Sequence, residues 1–233
     1  MHPGRERLMT ARHHIARNAA AVLAALTAIG VCLATAGPAA ANSGAVAAGH
    51  TIRYVSPAGG SACTLGFAFR RDYRTLGITA GHCVHDGSGY IIDTDSGYRG
   101  RVVSYAYDPS KKGSDFALID FGNAPVDTTL LDTTIAAVEA PPTDQTICHT
   151  GKSTGSTCGQ LAYQYRWGAQ YLTEGHRDHA GDSGGPVWTR YGLDELAIVG
   201  IWLGTHDDID TINGRFYPLP DALQKLGLAA NPL

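Results

Sequence analysis

Six consecutive residues, Gly181-Asp182-Ser183-Gly184-Gly185-Pro186, place a serine between glycines. Such a serine is a candidate nucleophile. The glycines leave room for a carbonyl carbon to approach the hydroxyl, and Gly181 can adopt a backbone conformation that aims its N–H at the oxygen under attack. A serine hydroxyl is weakly nucleophilic alone; it needs a base, and the base needs a group that fixes its tautomer. Both occur upstream. His82 lies in Thr79-Ala80-Gly81-His82-Cys83, after the apolar stretch Thr75-Leu76-Gly77-Ile78. Asp115 lies in Gly113-Ser114-Asp115-Phe116-Ala117-Leu118, at the mouth of another apolar strand. Nucleophile, base and orienting carboxylate in this set describe acyl transfer. His85 and Asp120 compete less well: His85 lacks the strand-end position, and Asp120 sits inside its strand. The Gly-x-Ser-x-Gly spacing also occurs in α/β-hydrolases. Those require the order Ser, Asp, His and a helix after the serine, whereas Pro186 to Trp188 continue as a strand.

The elements that must position these residues are short strands. Thr64–Arg70, Arg101–Tyr107, Phe116–Phe121, Gln160–Tyr165 and Leu196–Trp202 are rich in β-branched and aromatic residues, and Gly, Asn, Asp and Pro punctuate them at short intervals. That spacing predicts an all-β protein, a sandwich or barrel. The one persuasive helix is C-terminal: Pro220-Asp221 starts it, Leu223, Leu226 and Leu228 give an apolar face, and Asn231-Pro232 stops it. Pro141-Pro142-Thr143-Asp144 divides the chain into halves of residues 42–140 and 141–233.

Residues 1–41 read as a secretory signal peptide. Arg5, Arg7, Arg12 and Arg17 precede an apolar run from about Ala19 to Leu33, and Ala39-Ala40-Ala41 offers a small-residue cleavage site. The apolar run is short for a membrane span. The remainder is expected to be exported, extracellular and without stable membrane association. The whole chain carries a net charge of −3, and losing four arginines with the leader makes it more acidic. An acidic chain without basic clusters is a poor nucleic-acid binder. Cys32 leaves with the leader. Cys63, Cys83, Cys148 and Cys158 remain, and an even count in an exported chain predicts two disulfides. Three pairings are open; sequence neighbours give Cys63–Cys83 and Cys148–Cys158. The spacings lack the Cys-x-x-Cys of a zinc site.

Thr79-Ala80-Gly81-His82-Cys83, Ser114-Asp115-Phe116-Ala117-Leu118 and Gly181–Pro186, in this order, resemble the motifs of chymotrypsin-like (trypsin-like) serine proteases. The bacterial branch of streptogrisins and α-lytic protease is the nearest in pattern, and the resemblance covers about residues 48–230. One cysteine pair brackets His82, and Ile147–Gly159 resembles the second disulfide loop of that branch. The resemblance implies two six-stranded antiparallel β-barrels with a C-terminal helix. It implies a monomeric endopeptidase acting on protein or peptide substrates without metal or cofactor, with His82, Asp115 and Ser183 as the triad and the amides of Gly181 and Ser183 as the oxyanion donors. Asp182 is then a buried carboxylate supporting the oxyanion loop.

The chain also departs from that pattern. Relatives carry an arginine, paired with the aspartate before the nucleophile, where this chain has His149. A charged His149 paired with Asp182 would have a raised pKa, and its stabilisation would be lost as pH rises; Arg177 or a freed N-terminal amine are the other candidate partners. Relatives often carry a large pro-region, whereas about 21 residues separate Ala41 from Cys63 here. The candidate pocket walls, Gly175–Ala180 and Ile201–His206, with Gly214–Tyr217 closing them, are unfamiliar. Arg177, His179 and His206 suit an acidic substrate side chain, Asp178 a basic one, and Trp202, beside Leu203 and Gly204, narrows the space. These features and the absence of a third cysteine bridge sustain a second reading: a catalytically quiet protease-fold module that binds partners.

Overall fold

The computed structural model describes residues 44–207 and 212–233; the signal peptide expected over residues 1–41 lies outside the described residues. Among the described residues no helix is long and apolar enough to cross a membrane. The first half contains β1 (Val46–Ala47), β2 (Thr51–Ser56), β3 (Gly59–Thr64), β4 (Phe67–Arg71), β5 (Arg74–Thr79), β6 (Tyr90–Asp93), β7 (Arg99–Tyr107), β8 (Asp115–Asp120) and β9 (Val126–Asp127). A short 3-10 turn, Gly81–Val84, follows β5. The second half contains β10 (Thr129–Leu130), β11 (Thr133–Val138), β12 (Ile147–Gly151), β13 (Gly155–Trp167), β14 (Gln170–Glu174), β15 (Pro186–Tyr191), β16 (Glu195–Asp207), β17 (Ile212–Pro218) and helix α1 (Leu219–Lys225). The protein is all-β with one terminal α-helix, as the strand punctuation predicts.

In the second half, β16-β15-β12-β13-β14-β17 closes into a six-stranded barrel through the pairing of β16 with β17. Ile147, Val187, Val199, Trp202 and Phe216 fill its interior. The first half differs from a closed six-stranded barrel. It is a seven-stranded antiparallel sheet in the order β3-β2-β6-β7-β8-β5-β4, curled around Tyr54, Phe67, Phe69, Ile78, Ile91 and Ile119. Its end strands are consecutive in the chain and are joined by Leu65-Gly66 instead of a ladder. Leu65 N–H donates to His50 O and Gly66 N–H to Ile78 O, both at 2.8 Å. One bent segment therefore pairs first toward β2 and then toward β5. Gly66 is required at the bend, because a Cβ there would press on the carbonyls of Gly184 and Ile78.

The boundary between the sheets falls earlier than Pro141-Pro142. β10 and β11 already belong to the second sheet, where β11 runs parallel to β16, so the prolines follow an arm of the second barrel and do not mark the end of the first. Helix α1 ends before Asn231-Pro232 as well. Gly227, at φ 67°, turns the chain, with Gly227 N–H on Gln224 O at 3.0 Å and Leu228 N–H on Leu223 O at 2.9 Å, a glycine-terminated helix end. Leu226 and Leu228 still pack on the core from beyond it.

Both disulfides join sequence neighbours, Cys63–Cys83 and Cys148–Cys158. The first ties β3 to the turn that carries His82. Replacing Cys63 and Cys83 by serine opens a loop of sequence separation 20 and should lower stability by about 2–4 kcal/mol; urea unfolding of the double variant against the parent, both oxidised, measures this.

Candidate active site

His82 and Asp115 meet because β5 and β8 are neighbours. The ladder pairs Thr79 with Ala117, which sets the end of β5 beside the start of β8. The chain leaves β5 through Ala80 and turns at Gly81, whose Cβ would collide with Ala106 O. Asp115, the first residue of β8, is 2% exposed. Its Oδ1 accepts the His82 backbone N–H at 3.0 Å and its Oδ2 lies 2.8 Å from His82 Nδ1. Both carboxylate oxygens are thus engaged by one residue. The arrangement fixes the ring and puts the proton on Nδ1, leaving Nε2 as an acceptor, the tautomer a general base needs.

Ser183 reaches the same place from the second half. Thr64 N–H donates to Ser183 O at 2.9 Å, and Cys83 Sγ, next to His82 in the chain, is 3.8 Å from that oxygen. The loop around it is pinned from several sides. Thr64 Oγ1 donates to Gly181 O at 2.9 Å and Ser153 Oγ to Ala180 O at 2.8 Å. Gly184 N–H donates to Trp202 O at 2.7 Å, and Trp202 N–H returns a bond to Gly185 O at 2.8 Å. Gly181 and Gly184 have φ of 104° and 86°, conformations that side chains resist. The amides of Asp182, Gly184 and Gly185 all donate within the fold. Those of Gly181 and Ser183 donate to no group among the described residues, so two N–H groups flanking the serine are free for an incoming oxygen.

Asp182 is fully buried, and its partners differ from those expected. Ser153 N–H and Thr154 N–H donate to Oδ1 at 2.8 and 3.1 Å; Thr154 Oγ1 and His179 N–H donate to Oδ2 at 2.8 and 2.9 Å. Burial alone pushes this carboxyl up, but the four donors outweigh it and hold it below the ordinary carboxylate range. His149 is not its partner. The His149 ring lies flat on Trp202, 3.8 Å between centroids and 5° between planes, and its Nδ1 is 2.9 Å from His176 Nδ1. One imidazole donates and the other accepts, so the two rings cannot both be charged. Burial, reinforced by the charge of His176, pushes His149 down to about 3; burial pushes His176 down to about 4. The expected raised pKa is therefore reversed, because the ring is enclosed against an indole and a second imidazole.

The pocket walls touch one another. Trp202 is fully buried, and its Nε1–H donates to Asp178 Oδ1 at 2.7 Å. Asp178 Oδ2 lies 3.5 Å from where a Gly204 Cβ would stand, and a Cβ on Gly214 would run into the Trp202 ring. Burial pushes the Asp178 carboxyl up, offset in part by the Trp202 bond. Leu203 is buried, Arg177 points to solvent, and His206 stands at the rim with its ring 4.1 Å from that of Trp167. Sequence reading missed Ser153 and Thr154, which act largely through backbone amides that residue type does not reveal. It also missed the pairing of His176 with His149. Among the described residues one group, His50 with Asp93 and Asp95, has metal-ligand spacing, but Asp93 is already engaged by His50 Nδ1 at 2.9 Å and by the amides of Asp95 and Ser96.

A histidine whose folded-state pKa lies below the ordinary 6.5 binds fewer protons folded than unfolded, so its contribution to stability falls as pH drops below about 6.5. His50, raised by Asp93 against its own desolvation, has the opposite slope, so a variant comparison is needed. Between pH 7 and pH 5 the parent should lose about 2 kcal/mol more stability than His149→Phe. Denaturant unfolding at the two pH values measures this, and equal losses would show that the imidazole pair is not buried neutral.

No protein-family model and no curated protein matches the sequence. Solved structures do. Thermobifida fusca protease A is 23% identical, with a TM-score of 0.59 over 79% of this chain and 97% of its own. Nocardiopsis protease is 20% identical, with a TM-score of 0.57 over 78% and 96%. A glutamic acid-specific serine protease, described as using a histidine triad in substrate binding, is 19% identical with a TM-score of 0.58 over 78% and 98%. These neighbours are bacterial chymotrypsin-like serine proteases, and what this chain shares with them is the chymotrypsin-like fold.

Proposed function

We propose that this chain is an exported serine endopeptidase. The observation that carries the reading is the conjunction at Ser183: a tautomer-fixed His82–Asp115 pair on one side and two unengaged amides, Gly181 and Ser183, on the other. Ser183 Oγ attacks the scissile carbonyl while His82 Nε2 takes its proton. The oxyanion settles on the two amides, and His82 returns the proton to the leaving amine. Asp115 holds the imidazole and stabilises its charged form. Water then repeats the sequence on the acyl-enzyme. Beyond Trp202, β16 has a ladder partner on one edge only, β17, which suits an extended peptide that adds as a strand. The leader and the two disulfides support export.

A fluorophosphonate should form an adduct on Ser183, and His82→Ala should abolish it; Asp115→Asn should slow peptide hydrolysis about 10⁴-fold. Adduct mapping by mass spectrometry reads the first result and peptide kinetics the second. A folded protein that does not label would favour the binding-module reading.

The same walls bear on specificity. With Trp202 filling the space between Gly214 and Asp178, the cleft beside Ser183 suits a small side chain, glycine, alanine or serine, before the scissile bond. Trp202→Ala should raise kcat/KM for a large residue there at least about 10-fold relative to alanine. A parent enzyme that prefers lysine, glutamate or phenylalanine in a peptide library would refute this.

A further inference from the structure

Three consecutive residues lead into Asp115, and each is held by the second half of the chain. Lys112 O accepts the Ala169 N–H at 2.7 Å. Gly113 O accepts Gln170 Nε2 at 2.9 Å. Ser114 Oγ accepts Lys225 Nζ at 2.7 Å. The turn between β13 and β14 is shaped for this approach, since Gly168, at φ 66°, passes so near Lys112 O that a Cβ would collide with it. Behind Gln170 stands Arg215 of β17. Its Nη1 donates to Gln170 Oε1 at 2.7 Å and its Nη2 to Leu203 O at 3.0 Å. Gln170 is fully buried and Arg215 is 5% exposed. Arg215 Nε has no partner among the described residues.

A buried guanidinium held only by neutral acceptors is expensive unless a negative charge lies within reach. Arg215 makes no ion pair among the described residues. Burial lowers its pKa, and the Asp115 carboxylate is the foremost charge that opposes this, ahead of Tyr107 and Asp178. Asp115 has the complementary need: a carboxylate 2% exposed whose hydrogen-bond partner is an imidazole. We propose that Arg215, acting through Gln170, is a positioning residue for the reaction, holding the Gly113–Asp115 segment against the second barrel and supplying the cation that balances buried Asp115. The idea rests on the triad reading of His82, Asp115 and Ser183, and it assigns part of the triad's support to the opposite barrel.

The test is Arg215→Met, which removes the charge and keeps the bulk, read by the NMR titration of the His82 imidazole and by kinetics. The groups facing that imidazole are Asp115 of β8, Tyr107 of β7 with its ring 6.0 Å away, and, on the triad reading, Ser183; Arg215 acts from β17 behind them. Loss of the cation should move the His82 midpoint to higher pH by about one unit, raise the acid limb of the pH profile with it, and lower kcat about 10-fold with KM nearly unchanged. Arg215→Lys should restore the midpoint and part of kcat. If Arg215→Met fails to fold, Arg215→Gln removes the charge while keeping a donor for Gln170 Oε1 or Leu203 O, and should move the midpoint in the same direction. An unmoved midpoint in the folded variants, or an effect confined to KM, overturns the proposal. The titration needs no turnover, so a parent that fails to label with fluorophosphonate would sink the protease reading while leaving this result legible.

Discussion

The fold is organised around buried carboxylates that must be kept ionised without a cation in direct contact. Asp182 is the clearest case. It is enclosed, yet four donors from two separate segments, Ser153-Thr154 and His179, converge on it. Three of these are backbone amides. Charge-assisted bonds of this kind are among the stronger ones a protein makes, and here they do what a charged His149 was expected to do. The consequence for the site is direct. Fixing the Asp182 side chain fixes the peptide unit that follows it, which presents the Ser183 N–H, while the bond from Ser153 Oγ to Ala180 O holds the unit that presents the Gly181 N–H.

Asp115 meets the same constraint differently. His82 takes both of its oxygens, and with a neutral imidazole the pair carries one net negative charge, on a carboxylate only 2% exposed. Burial of an unbalanced charge is costly, so the surroundings must supply the remainder. The second barrel approaches Asp115 with Gln170, Arg215 and Lys225, all polar or cationic. The two halves are thus joined by an electrostatic requirement as well as by apolar packing such as Phe116 against Tyr217, 5.4 Å between ring centres.

What the sequence disclosed follows from how local each signal is. Gly181–Pro186, Thr79–Cys83 and Ser114–Leu118 are contiguous, and their residue types are demanded by the backbone shape and the chemistry together, so they stood out. The cysteines paired with their neighbours, and the strand punctuation gave the all-β class. The kinked strand at Leu65-Gly66 was not legible as a break between two strands, because nothing in its residues says where one ladder hands over to the next. His149 was legible as a departure but not as a buried neutral ring, since that depends on His176, 27 residues away, and on a Trp202 whose inward direction is set by register. Arg215 in a strand reads as a solvent-facing residue; only the packing of one barrel on the other encloses it.

Trp202 shows how closely core and cleft are merged. Its side chain belongs to the interior of the second barrel, with Phe216 and Val199, while its backbone holds Gly184 and Gly185 and its indole N–H crosses to Asp178. The residue that would shape the specificity pocket is therefore also a packing residue and a support of the nucleophile loop. In a close-packed interior a change of volume at such a position is felt by all of its neighbours. Substrate preference and barrel stability cannot be varied independently here. A wider cleft requires repacking the His149–Trp202–His176 stack, and that stack is where neutral imidazoles are already held against their tendency to charge.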